Sequence, residues 1–458
     1  MEKKKKCNKY ISLAISILFF VICGCIMGVT ICADSKGYME MISAREPVYP
    51  LLLAFMRKLF GVKTYLFPVI ILQNLLMGFA VWYNAQIISE KFELRIWQQY
   101  VIILLNIAVS LMCVLGAKRA SMYSNSILTE GIAIPLYIIF FTLVIRAVTE
   151  DKLGSVLEAA GLITVMYDTR KQMAVGYIIL CGAMFLAYIG KKHFFKKVGF
   201  TLLCSVLSLL LAMGITGIYN YALRGEFAKN TRDMNLVLTT SLYVADREDA
   251  ELIEDEYVRE LFVTTYDKLD DMKCNYKYAD KGWRNLESHY TDAFDKITVE
   301  TTGPLFVEYA VRHGFKEGME AEMEADRISK VIVNSLLKDN MTSYLKIYLA
   351  SLGNGFINTV AKRSNLLDYC ALVMYLLYTA LTLICLTNGK THKEGVLGLI
   401  VLMAIVVNVG VTAALIFCQT RYMIYNMALF YSAGFIMLSA VLTRILRQNG
   451  SIESKNAI

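Results

Sequence analysis

The chain has 458 residues and five prolines; 56% of it is hydrophobic, only 19% is charged, and the formal net charge is +8. That balance excludes an ordinary soluble globular chain and a disordered one, since neither combines so much apolar surface with so few charges. The bilayer is the expected main solvent, and no nucleic-acid partner is expected.

Lysines at positions 3–6 precede a charge-free stretch from Ile11 to Ile31, and Asp34 follows it. About 20 residues at about 1.5 Å each cross a hydrocarbon core, and the lysines mark its cytoplasmic end. A cleaved signal peptide would have an apolar region of about 7–15 residues, so this run is too long for one, and further spans follow. The first helix therefore delivers a carboxylate to the far side of the membrane.

A first exterior loop is expected over residues 33–63. Its second part begins at Pro47, stays apolar, carries Arg57 and Lys58 near its end and stops at Gly61. Proline at a helix-opening position and glycine past the end read as a helix. It is too short to span and is expected to lie in the interface.

Further apolar runs place spans near Thr64–Ile88, Ile96–Gly116, Gly131–Val148, Leu153–Asp168, Met173–Gly190, Val198–Tyr219, Leu366–Leu386, Val396–Gln419 and Tyr422–Leu446. With the first, this makes about ten. The basic clusters Lys191/Lys192/Lys196/Lys197, Lys390/Lys393 and Arg444/Arg447 then all fall on one side. The expectation is a multi-pass plasma-membrane protein with both termini cytoplasmic. The segment Leu153–Asp168 is short and holds Glu158; if it does not cross, the later orientation inverts.

Three parts follow: a transmembrane module over 1–218, a polar insert over 219–344, and C-terminal transmembrane helices over 345–458. In the insert Asp and Glu outnumber Lys and Arg, in a chain that is positive overall. Apolar residues three or four apart among the acids of Asp249–Leu269 and Lys316–Leu337 predict amphipathic helices. The fold class is all-α, polytopic, with a mostly helical extracytoplasmic insert.

Most of the eleven cysteines lie in the expected spans, and Cys274 alone lies in the insert, so no internal disulfide is expected there. His193, His289, His313 and His392 lack metal-ligand spacing, and no phosphate-binding glycine loop or GxSxG is present.

Asp34, Tyr38 and the run Pro47-Val48-Tyr49-Pro50-Leu51-Leu52-Leu53 resemble the first exterior loop of GT-C glycosyltransferases. These polytopic enzymes include protein O-mannosyltransferases and the lipid A aminoarabinose transferase. Ser126-Ile127-Leu128-Thr129-Glu130 is similar to their second-loop acidic motif. Tyr167-Asp168-Thr169-Arg170-Lys171 is similar to their basic outer helix end, and Arg421-Tyr422-Met423 to their Arg-Tyr motif before a terminal helix. Many relatives carry paired acids after the first span, where Asp34 here is followed by Ser35, and their second-loop acid is often Asp.

The resemblance implies transfer of a sugar from a polyprenyl-phosphate donor, beside membrane lipid, to a cell-envelope glycan, lipid or protein. Asp34 is then the expected general base of an inverting displacement. Glu130 orients the acceptor or shares a divalent metal with Asp34. Arg170, Lys171 and Arg421 are expected on the phosphate, with Lys118 and Arg119 behind them, and Tyr38, Arg45 and Glu46 complete the expected binding set. A local ion pair between Asp168 and Arg170 is the plainer reading of that segment, and an N-terminal helix charge is the plainer reading of Glu130. Two other classes stay open. A polysaccharide polymerase or ligase of the Wzy type would rely more on Arg45 than on Asp34. A transporter or flippase would place ionisable groups within its spans.

Overall fold

The computed structural model describes residues 2–115, 121–150, 152–361 and 364–456. The first half runs α1 (Glu2–Met27), α2 (Ser35–Met39), α3 (Val48–Phe60), α4 (Leu66–Lys91), α5 (Ile96–Leu115), α6 (Glu130–Glu150), α7 (Leu153–Tyr167), α8 (Val175–Tyr188) and α9 (Phe194–Arg224). The second runs α10 (Asp233–Val244), α11 (Glu256–Asp271), α12 (Trp283–Asp295), α13 (Gly303–Arg312), α14 (Met319–Leu336), α15 (Met341–Val360), α16 (Asn365–Leu386), α17 (His392–Leu415) and α18 (Thr420–Asn456). Among the described residues the regular structure is helical, apart from one isolated bridge between Thr30 and Ser126.

Among the described residues eight helices are long and apolar enough to cross a membrane: Cys7–Met27, Leu66–Lys91, Glu130–Glu150, Lys171–Tyr188, Phe194–Arg224, Leu366–Leu386, His392–Leu415 and Thr420–Leu446. The chain is thus an all-α polytopic membrane protein. Two shorter apolar helices, Ile96–Met112 and Leu153–Tyr167, fall where two more spans are expected. Lys118 and Arg119 lie outside the described residues.

The first span ends earlier than its apolar run. Helix α1 stops at Met27, and Gly28 adopts φ +66°, a conformation that suits glycine. The chain then runs extended: Thr30 N–H donates to Asn125 O at 3.0 Å, and Ile127 N–H donates to Thr30 O at 3.0 Å. Buried amides from α4 hold the loop opposite. Gln73 donates to Ser124 O and Ser126 O at 2.9 and 3.1 Å and accepts from the Tyr49 hydroxyl at 2.8 Å. Residues before Asp34 and before Glu130 are thereby pinned to each other.

Helix α3 forms as expected over Val48–Phe60 and ends at Gly61, with φ +79°. Tyr49, Leu53 and Met56 pack with Tyr38, Ile70 and Ile127 in a small core beneath the first loop. Leu51, Phe55 and Leu59 point the other way, exposed at successive helical turns.

The insert has its own core, built on Leu242, Phe262, Tyr290, Phe306 and Ile332 and continuous with Phe417 from the α17–α18 link. Its first amphipathic helix begins at Glu256 rather than near Asp249. Residues Arg247–Leu252 form a 3₁₀ turn under an Asp246/Asp249 capping box, and Asp255 then caps α11 by accepting from Val258 N–H at 3.3 Å. The expected start of the insert, at 219, falls within α9. Helix α15 is absent from the expected elements. It packs on α12 of the insert and on α16, α17 and α18, with Gly355 allowing close approach to Val409 and Cys418.

Candidate functional site

Four separate chain ends converge on one end of the bundle: the loop after α1, the start of α6, the link after α7, and the start of α18. They bring together five charged side chains in an alternating row. Arg45 Nη2 lies 2.9 Å from Asp34 Oδ1, and Arg421 Nη1 lies 2.7 Å from Asp34 Oδ2. The same Arg421 donates to both oxygens of Glu130, through Nε and, at 3.3 Å, through Nη2. Arg170 Nη1 closes the row 2.6 Å from Glu130 Oε1 and 3.2 Å from Thr129 Oγ1.

Burial grades along the row. The Glu130 side chain is 0% exposed and that of Asp34 is 32% exposed. A buried charge survives only when paired, and Glu130 has two guanidiniums. At Asp34, burial opposes the charge, but Arg421 and Arg45 outweigh it and hold the carboxyl below the usual carboxylate range. Aromatic faces seat the cations: Arg45 lies 4.6 Å from the Tyr38 ring centre and Arg170 lies 5.0 Å from that of Tyr422. Three guanidiniums against two carboxylates leave the row one positive charge in excess.

The remaining expected residues flank the row. Tyr38 receives a hydrogen bond from Arg45 Nη1 at 3.3 Å. Lys171 turns outward and pairs with Asp233 of the insert, so it does not join Arg170. Glu46 is half-buried beside the row; burial raises its carboxyl, while Lys171, Arg45 and Arg170 pull it down less strongly. Asp168 forms no ion pair with Arg170. It is buried, accepts from Thr216 Oγ1 at 3.0 Å, and its Oδ2 has no hydrogen-bond partner.

A shared divalent ion does not fit Asp34 and Glu130, because Arg421 stands between them and occupies both. Among the described residues no group of three or more His, Cys, Asp or Glu side chains is placed to hold a metal.

Several participants carry no sequence signal. Gln172 accepts from Arg170 Nε at 3.0 Å and donates to Tyr422 O at 3.0 Å, locking two arms of the site. Asp295, where α12 meets a π-helical turn over Lys296–Thr302, feels the charges of Asp34 and Arg421. A further network fixes the link before Arg421: Asn354 and Asn358 of α15 donate to Cys418 O at 3.1 and 2.9 Å, and Asn354 donates to the buried Glu287 at 2.6 Å.

Next to the row, a small cavity of about 30 Å³ lies among α4, α5, α6 and α18. Met77, Val109, Ile134, Pro135, Ile138 and Ile424 make its walls largely apolar, and Glu130 lies in its lining. Compared with known proteins, the chain matches no family model, no curated protein and no solved structure.

Proposed function

We propose that the protein is a membrane glycosyltransferase of GT-C-like type, moving a sugar from a polyprenyl-phosphate donor to a cell-envelope acceptor at the outer face of the plasma membrane. The observation that carries this reading is the row Arg45–Asp34–Arg421–Glu130–Arg170, cationic by one charge, at the ends of long apolar helices. A lipid-linked phosphate needs guanidiniums for its oxygens next to apolar surroundings for its chain.

Helix directions support about ten crossings. Asp34 follows α1, Glu130 opens α6, Arg170 follows α7 and Arg421 opens α18, yet all four meet. Helices α5 and α7 therefore each return the chain from one end of the bundle to the other. With both counted, the termini and the basic clusters share the cytoplasmic side.

As the bond from C1 of the sugar to the phosphate breaks, negative charge grows on the leaving oxygen. Arg421 and Arg170 are positioned to take it, exchanging part of their hold on Glu130 for phosphate. The acceptor hydroxyl must lose a proton in the same displacement. Asp34, expected in that role, has both oxygens engaged by guanidiniums. The Wzy-type polymerase reading keeps one supporting observation, the direct pairing of Arg45 with Asp34.

The test is sugar transfer by purified protein in lipid nanodiscs, with a panel of radiolabelled polyprenyl-phosphate sugars and a membrane extract as acceptor. Transfer that falls at least 100-fold in Arg421→Gln, with the variant still folded, is the expected result. No transfer from any donor, together with no binding of polyprenyl phosphate, overturns the reading.

A further inference from the structure

The carboxylates of the row are saturated: Asp34 holds two guanidiniums and Glu130 holds two. A carboxylate so engaged is a poor proton acceptor, because each cation that stabilises its charge lowers its basicity. The reaction proposed above still needs a base, and four flanking carboxylates are near enough to compare. Asp168 is fully buried behind Thr216, Asp233 is held by Lys171 and Lys229, and Asp295, which feels Asp34 and Arg421 from the insert, is exposed to solvent. Glu46 differs from all three. Among the described residues its carboxylate makes no ion pair and no hydrogen bond to another side chain, and the nearby cations Lys171, Arg45 and Arg170 act on it without pairing.

Glu46 is also held at the row by its neighbours in sequence. Arg45, the preceding residue, reaches Asp34, and Val48 N–H, two residues on, donates to Asp168 O at 3.0 Å. The chain at Glu46 is thus held between the Asp34 end of the row and the Arg170–Lys171 link. The groups that face it are Lys171, Arg45, Arg170, Asp168 and Tyr167.

We infer that Glu46, not Asp34, is the catalytic residue that takes the proton from the acceptor hydroxyl, and that Asp34 and Glu130 are positioning residues that hold the arginines. The inference rests on the glycosyltransferase reading. In the step, the acceptor O–H bond breaks and its proton passes to Glu46. The acceptor oxygen bonds C1 of the sugar, and the C1–O bond to phosphate breaks with its electron pair leaving on the phosphate. The phosphate gains one negative charge and meets Arg421 and Arg170. The proton on Glu46 returns to water. Burial raises the Glu46 carboxyl towards working pH, which suits a base more than the depressed Asp34 does.

The experiment compares wild type with Glu46→Gln, Glu46→Asp, Asp34→Asn and Asp295→Asn in the nanodisc transfer assay, and measures polyprenyl-phosphate binding to each separately. The expected result is a loss of about 100-fold or more in kcat for Glu46→Gln, with polyprenyl-phosphate binding within about threefold of wild type. Partial activity should return in Glu46→Asp, with an altered acid limb in its pH profile. Asp34→Asn should change donor affinity more than kcat. Should Glu46→Gln fail to fold, Glu46→Asp decides, because wild-type kcat and pH profile in that variant would overturn the inference. Glu46→Gln that transfers within tenfold of wild type would overturn the base and leave the glycosyltransferase reading intact. A kcat loss with intact binding in Asp34→Asn or Asp295→Asn instead would likewise remove Glu46 as the base. Wild-type protein that transfers from no donor removes both.

Discussion

Asp34 Oδ2 and Arg421 Nη1 lie 2.7 Å apart although 387 residues separate them in the chain. The contact joins the loop after the first span to the start of the last helix, and Arg421 carries it on to Glu130. One guanidinium therefore closes the helical bundle and sets the charge of the candidate site.

Replacing that guanidinium by an ammonium is not conservative. Lysine offers a point charge where arginine spans two carboxylates with a planar fork. Arg421→Lys is expected to lower stability by about 1–3 kcal/mol and to weaken polyprenyl-phosphate binding at least tenfold. Thermal unfolding in detergent and lipid-binding titration measure the two effects.

Glu130 and Asp34 should differ in cost. Glu130→Gln strands two cations at a fully buried position, so a loss of about 3–5 kcal/mol is expected. Asp34 is about one-third exposed, and water screens its partners when it is removed. Asp34→Asn should cost well under half as much. Parallel thermal melts at one detergent concentration compare them, and equal losses would contradict the burial gradient.

The acid dependence of the Asp34 contact has a definite sign. Its carboxyl is held below the usual range when folded, so its contribution is complete above the unfolded value of about 3.9. It is lost as pH falls through the lower folded value. The difference in melting temperature between wild type and Asp34→Asn should stay constant from about pH 5 upward and shrink only in stronger acid. A difference that vanishes between about pH 5 and 7 would mean that the arginines do not hold it.

Gly131 tests the polar frame beneath the site. A Cβ there would meet the Gln73 amide at 2.4 Å, and Gln73 cannot retreat without leaving Ser124 O, Ser126 O and the Tyr49 hydroxyl. Gly131→Ala is expected to cost about 1–3 kcal/mol and to displace Glu130 next to it. Loss of polyprenyl-phosphate binding alongside the lower melting temperature would register that displacement.

Much of the site is legible along the chain. Asp34, Glu130, Arg170 and Arg421 stand out because each is a charge at the end of an apolar run, where desolvation makes an accidental charge costly. Arg45 is legible only as a loop cation, and its bond to Asp34 follows from a tight turn that composition does not encode. Lys171 looks equivalent to Arg170 in sequence but points to the insert, because successive residues at a helix end diverge in direction. Gln172, Asn354 and Asn358 are silent in the sequence. Uncharged amides are common on helices, and only their carbonyl partners, up to 250 residues away, reveal what they hold.

The sequence by itself determined the solvent of this protein, the positions of its long apolar helices, the short helix ending at Gly61, and the helical character of the acidic insert. Those are local properties, set by runs and periodicities within about 20 residues. Tertiary structure alone decided that Gly28 ends the first helix well before its apolar run does, that α15 wedges between insert and membrane helices, and that Arg421 lies between two carboxylates. Each depends on which distant groups remain to be satisfied once water is excluded. Paired charges and hydrogen-bonded amides are selected by burial across the whole bundle, not by neighbours along the chain.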